Sequence, residues 1–129
     1  MATTHSTAAR NAATDAVTAL IGASGKLAFR LSGTVSAPGT TVATLSLSAT
    51  AFPAAVSGTA TANAITSDTN ATGNASPVAT ATLQTSAGTV VIHCAVAASA
   101  SDINMTNGLT VAAGDTVSCS SLTYTALSA

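Results

Sequence analysis

An all-β domain, a β-sandwich or small barrel of about 6–8 short strands with a short N-terminal helix or arm, is what this sequence predicts. Three observations lead there. A chain of 129 residues suffices for one hydrophobic core and not for two. From residue 26 onward, short runs of Val, Leu, Ile and Thr are broken at intervals of about 8–14 residues by Gly, Pro or Asn, the rhythm of strands joined by turns. Only before residue 26 do apolar side chains recur at helical spacing. The expected organisation is therefore an arm or short helix over residues 1–25 and a β-domain over residues 26–129.

The helix is expected between Ser6 and Gly22, with Ala8, Ala12, Val17, Leu20 and Ile21 as its apolar positions and Gly22 and Gly25 as stop signals. Strands are expected at 26–31, 41–48, 56–62 (weaker), 78–85, 89–96, 109–111 and 116–124. Ser86, Ala87 and Gly88 read as a hairpin tip, the glycine supplying a positive φ. Residues 66–77, rich in Asn, Ser, Thr and Gly, form the longest expected loop, and loops of that size commonly make contacts.

Ala, Ser and Thr exceed half of the chain, so the core must come from a limited set of Val, Leu, Ile and Met with Phe29 and Phe52. Each such side chain contributes roughly 1.5–3 kcal/mol on burial, against about 1–2 kcal/mol per residue for ordering the backbone. A partner that binds only the folded form would add stability by mass action. Charge is sparse: Arg10, Lys26 and Arg30 against Asp15, Asp68, Asp102 and Asp115, no Glu, and a formal net charge of −1. That balance offers no affinity for a phosphate backbone, so nucleic acid is not expected as a partner. It also provides little self-repulsion, which suits a subunit of an assembly.

Arg10 and Asp15 interrupt the only alanine-rich stretch and no basic flank precedes a greasy run, so a secretory signal is not expected and synthesis in a cytosol is. Residues 31–67 carry no charge, yet Gly33, Pro38, Gly39, Pro53 and many hydroxyls break any run of about 20 apolar residues, so no membrane span is expected.

Residues that resemble chemical motifs read as structure. Gly22-Ala23-Ser24-Gly25-Lys26 has two residues between its glycines where a phosphate loop needs four, and Leu27 follows the lysine. Asp102-Ile103-Asn104 opens like a calcium loop, but Gly108 comes too late and no Glu follows, so it is a turn. His93 and Cys94 are adjacent in a strand, point to opposite faces and cannot chelate one ion. Val90, Ile92, Cys94 and Val96 share the apolar face; His93 lies on the other as a surface or interface side chain. Cys94 and Cys119 each fill core volume most simply as reduced thiols. The alternative is a Cys94–Cys119 disulfide, closed on oxidation outside the cell if facing strands bring the Cα atoms within about 4.4–6.8 Å.

Acid–base catalysis needs convergent titratable groups, and four scattered Asp with two His do not supply them. With Tyr124, Phe29 and Phe52 as the aromatics, stacking platforms for bases or sugars are missing. The Thr-Ala-Thr runs at 59–61 and 80–82 and Thr-Tyr-Thr at 123–125 lack a fixed repeat length and read as ordinary strand faces, and the sequons at Asn70, Asn74 and Asn104 follow from abundant Ser and Thr. No enzyme, cofactor or metal is expected.

Three stretches, MATTHSTAARNAATDAV (residues 1–17), TANAITSD (61–68) and VAAGDTVS (111–118) running on to LTYT (122–125), together resemble the small head-decoration, or cement, proteins of tailed bacteriophages. The two cysteines and the Ala/Thr-rich strand at 78–85 depart from that group. The resemblance implies a structural virion protein: a β-sandwich-like body on the capsid exterior, made in the bacterial host cytoplasm, that clamps neighbouring major capsid subunits and binds copies of itself as a homo-oligomer. Edge or arm augmentation and buried interface area would supply the clamp. The alternatives are a tail, neck or fibre component and a bacterial surface adhesive β-domain. The expected capsid-contact arm runs from Ala2 to Val17 through Thr3, Thr4, His5, Ala8, Arg10 and Ala12, because a segment so weakly apolar is not stable as a lone helix.

Overall fold

In the computed structural model, which describes residues 3–127, regular structure begins with a capped helix, α1 (Thr7–Ile21). The Ser6 side chain accepts from the Ala9 amide at 3.1 Å, which satisfies one of the otherwise unpaired donors of the first turn. Gly22 ends the helix at φ 72°, a backbone that glycine adopts without steric cost. Seven strands follow among the described residues: β1 (Lys26–Arg30), β2 (Thr41–Ser46), β3 (Thr59–Thr61), β4 (Thr80–Gln84), β5 (Val90–Ala97), β6 (Ile103–Asn104) and β7 (Thr123–Thr125). They form a five-stranded sheet in the order β2-β1-β4-β5-β6 and a two-stranded sheet of β3 and β7. The chain is thus a small β-rich domain with one short helix.

Register explains why so much alanine is compatible with a core. Across four antiparallel strands one row reads Leu45, Leu27, Leu83 and Ile92, and the next reads Ala43, Phe29, Ala81 and Cys94. Leu27 and Leu45 are completely buried and Leu83 nearly so. In the second row the Phe29 ring lies between two methyl groups, Ala43 and Ala81, both buried. A large residue flanked by small ones fills the layer without overpacking, so the alanines there are complements to the ring. Ile21, Phe52, Val78, Val111, Val117 and Leu122 join the same core from outside the sheet.

The opposite face of the sheet is polar and closed by one side chain. Arg30 donates from Nε to Thr82 Oγ1 (3.0 Å), from Nη1 to Gly39 O and Thr41 Oγ1 (both 2.8 Å), and from Nη2 to Gln84 Oε1 (3.0 Å). It therefore lies flat across the β2–β1–β4 strands, burying its own stem together with Thr82 and Gln84. All four acceptors are neutral, and burial pulls the guanidinium pKa below its ordinary value.

The β4–β5 hairpin closes as expected at residues 86–88: Thr85 N donates to Thr89 O, Gly88 N to Thr85 O, and Gly88 takes φ 96°. Three strand expectations are corrected. Residues 109–111 join no strand; Leu109 O and Val111 O each accept one amide, from Val78 and Asn74, which anchors the segment without a ladder. Of 116–124, only Thr123 and Tyr124 lie in a strand, β7, with one isolated bridge at Val117 to Asp68. The weak strand at 56–62 shrinks to β3, because Ser57 (φ 52°) and Gly58 (φ 83°) turn the chain between Val56 and Thr59. Two successive positive φ values are the signature of the tight hairpin turn that matches strand twist. Strand β6, not expected, runs parallel to β5 after a connection of five residues, 98–102, which is enough because only two residues pair.

The 66–77 segment is also different from a free loop. Thr66, Asp68, Ala71, Gly73 and Asn74 donate their amides to Ser46, Val117, Asp115, Val42 and Val111. It is an internal strap between β2 and the C-terminal third of the chain.

Candidate functional site

The inventory of chemically useful side chains is small, and the structure ties the four carboxylates to the fold. Asp15 Oδ1 accepts from the Ala55 amide (2.8 Å), Asp68 Oδ2 from Thr44 (2.9 Å), Asp102 Oδ2 from Ala95 (3.0 Å) and Asp115 Oδ2 from Ala112 (2.9 Å). All four carboxylates therefore act as caps for backbone donors in loops and at strand edges, which are stabilising charge-assisted bonds. Asp102-Ile103-Asn104, expected as a turn, instead runs from a bend at 101–102 into β6, and Asn104 Oδ1 accepts from Ser101 N. Among the described residues no three of His, Cys, Asp or Glu come together as metal ligands. Among them, too, no helix is long and apolar enough to cross a membrane.

Cys94 and Cys119 are both free thiols, each with its own partner: Cys94 Sγ donates to Ala81 O at 3.4 Å and Cys119 Sγ to Ser121 O at 3.3 Å. Burial, assisted by Asp102, pushes the Cys94 thiol up to about 11, and burial raises Cys119 as well. Thiolate is the reactive form, so alkylation of Cys94 by iodoacetamide at pH 8 is expected to run about a hundredfold slower in the folded chain than in urea. Mass spectrometry of quenched samples reads this directly, and the lag should vanish as pH approaches 11. With the folded pKa above the unfolded one, the contribution of this thiol is present below about pH 9 and is lost as pH rises through 9 to 11. His93 sits opposite Thr82 on the polar face, half-buried, with Nε2 covered and without a partner.

The expected contact arm is placed as follows. Ala2 lies outside the described residues; Thr3, Thr4, His5, Ala8 and Ala12 are exposed, and Arg10 and Val17 are half-buried. Helix α1 is seated on the body through its polar side. Asn11 Oδ1 accepts from Gly58 N (2.7 Å), Thr14 Oγ1 donates to Gly58 O (2.6 Å) and accepts from Ala126 N (3.1 Å), and Thr14 and Thr18 are buried with Ile21. The hairpin turn at 57–58 is thus held at both its amide and its carbonyl. Thr14→Val leaves Gly58 O and Ala126 N without their hydroxyl partner, and a loss of about 2–4 kcal/mol in urea denaturation is expected from two unsatisfied groups.

With the polar stripe inward, Ala8, Ala9, Ala12, Ala16, Ala19 and Leu20 share the outward face; all are exposed, Leu20 at 66%. At 100° per residue they fall within one third of the helix circumference and include no charge. Of the apolar positions expected along the helix, Ile21 is buried, Val17 half-buried, and Ala8, Ala12 and Leu20 lie on this outward face with Ala9, Ala16 and Ala19, which the spacing did not single out. The signal that marks the inward side in the sequence is the equally periodic polar set Asn11, Thr14, Asp15 and Thr18. Beside this face, a groove of about 350 Å³ runs between α1 and residues 49–54, with Phe52 and Pro53 in its wall. A larger one of about 600 Å³ opens against Phe29 between the C-terminal segments.

Protein-family models, curated proteins and solved structures were compared with the chain, and none matches.

Proposed function

We propose that this chain is a structural protein whose activity is binding to other protein subunits, and that it serves as a decoration protein on the exterior of a tailed-phage head. The observation that carries the reading is the orientation of α1. A helix that turns Asn11, Thr14, Asp15 and Thr18 toward its own domain and presents six Ala and Leu side chains outward is arranged for close packing against another surface. Alanine faces allow a neighbouring backbone to approach closely, and the absence of charge removes the desolvation cost of an ionic rim. The four carboxylates, each tied to a backbone amide, accord with a role without acid–base chemistry. In this reading the two sheets are the layers of a sandwich-like body, the partners are the major capsid protein and further copies of the chain, and the contact surface is the helix face rather than the extended residues before it.

Co-sedimentation with purified shells of the particle that carries the chain tests this. Wild-type protein is expected to pellet with shells, at a copy number comparable to that of the main shell protein. Ala12→Glu combined with Ala16→Glu, both on the solvent face of α1, is expected to leave the far-ultraviolet circular dichroism unchanged and to weaken pelleting at least about tenfold, since a charge buried at an interface without a partner costs several kcal/mol. A few copies per particle would instead point to a tail, neck or fibre position, and no copies would overturn the reading.

A further inference from the structure

Both sheets end at the same groove. Strand β6 is the last strand of the five-stranded sheet and β7 is a terminal strand of the two-stranded one. The cavity of about 600 Å³ is lined by residues of both, Ile103 and Asn104 of β6 and Thr123 of β7, together with Phe29 of β1. Two further stretches of its wall, 106–111 and 118–122, belong to no strand. Among the described residues, no backbone N–H of either stretch meets an acceptor, while four of their carbonyls are bound: Leu109 O by Val78 N, Val111 O by Asn74 N, Leu122 O by Ala62 N and Ser121 O by Cys119 Sγ. The walls are therefore anchored to the body through oxygens and retain a set of unused donors beside two sheet ends. Unpaired donors at a sheet edge are a template for an added strand.

We propose that this gap is an acceptor site for one extended, acid-free segment of a partner protein that carries a Lys or Arg and adds as a strand between β6 and β7. The charge of the groove selects the occupant. Its charged lining residues are Asp102 and Asp115, and no Lys or Arg lines it. Each carboxylate takes one backbone amide through Oδ2, which keeps it fixed at the rim. The rest of the wall is largely Thr, Ser and Asn, suited to short side chains. A second copy of this chain does not supply such a segment: Arg10 is in α1, and Lys26 and Arg30 are in β1, which is paired on both sides.

The inference rests on the reading of the chain as a partner-binding structural protein, and its test is independent of shells. Two eight-residue peptides of alternating Thr and Val, one ending in Lys at both ends and one in Glu, are titrated into the full chain, with amide hydrogen exchange read residue by residue. The Lys peptide is expected to slow exchange at 106–111 and 118–122 and to bind at least about tenfold more tightly than the Glu peptide. The double variant Asp102→Asn, Asp115→Asn, which keeps an oxygen for each backbone amide, is expected to bind the two peptides equally. No protection in the groove, or equal affinity of the wild-type chain for both peptides, would overturn the proposal. So would protection that appears on concentrating the chain alone, which would assign the groove to a second copy. Shell binding without peptide protection removes the acceptor site and leaves the decoration reading standing.

Discussion

Leu27→Ala is expected to lower the free energy of unfolding by about 3–5 kcal/mol, near the top of the range for a buried leucine. Leu27 is completely buried in a central strand, between Leu45 on one side and Leu83 on the other, so the cavity opens in the middle of the row and no neighbour can collapse into it without breaking register. The neighbouring row holds only the methyl groups of Ala43 and Ala81 on either side of Phe29, and a methyl group cannot reach into the space left by a leucine. Small domains have only about 5–15 kcal/mol in total, so this change removes a large share. Urea titration followed by tryptophan-independent circular dichroism measures it; a loss under 1 kcal/mol would show that the row is not the centre of the core.

Gly73→Ala is expected to cost about 3 kcal/mol although it adds a single methyl group to a half-buried position. Gly73 has φ 71°, where a Cβ costs roughly 1–2 kcal/mol. The added Cβ would also run into the backbone of Ala112 and Ala113, which cannot swing aside as a side chain could. Gly73 N donates to Val42 O, so the residue sits where the strap, β2 and the 112–115 turn meet. The expected signature is a fall in thermal midpoint together with faster amide exchange at Gly114 and Asp115, whose own bonds to Ala71 and Ala112 depend on that contact. Ala substitution at Gly108, whose added Cβ would meet nothing within 4 Å, is the control for backbone strain alone.

Strand periodicity and turn residues were legible where pairing is extensive. The helix, the β4–β5 hairpin and the alternation of Ile92 and Cys94 against His93 all follow from local pattern, since each is fixed by neighbours close in sequence. What could not be read is set by distant partners. Residues 109–111 and 118–122 have strand-like composition but no adjacent strand, and an extended segment becomes a strand only by pairing. The inward face of the helix could not be read because Ala satisfies either environment, and Thr14 decides it through bonds to residues 58 and 126 that no local window contains. That Arg30 spans three strands could not be read locally either, because it depends on Thr41, Thr82 and Gln84 meeting across the sheet.

The seat of α1 has a kinetic corollary. Its anchor Thr14 touches Gly58 and Ala126, separations of 44 and 112 residues, so the helix precedes the last of its partners by more than a hundred residues of synthesis. Closing contacts over such spans is slow. A nascent chain of this kind cannot complete the seat of its helix until residue 126 has left the ribosome, and removal of the segment around residue 126 should loosen a helix more than a hundred positions away.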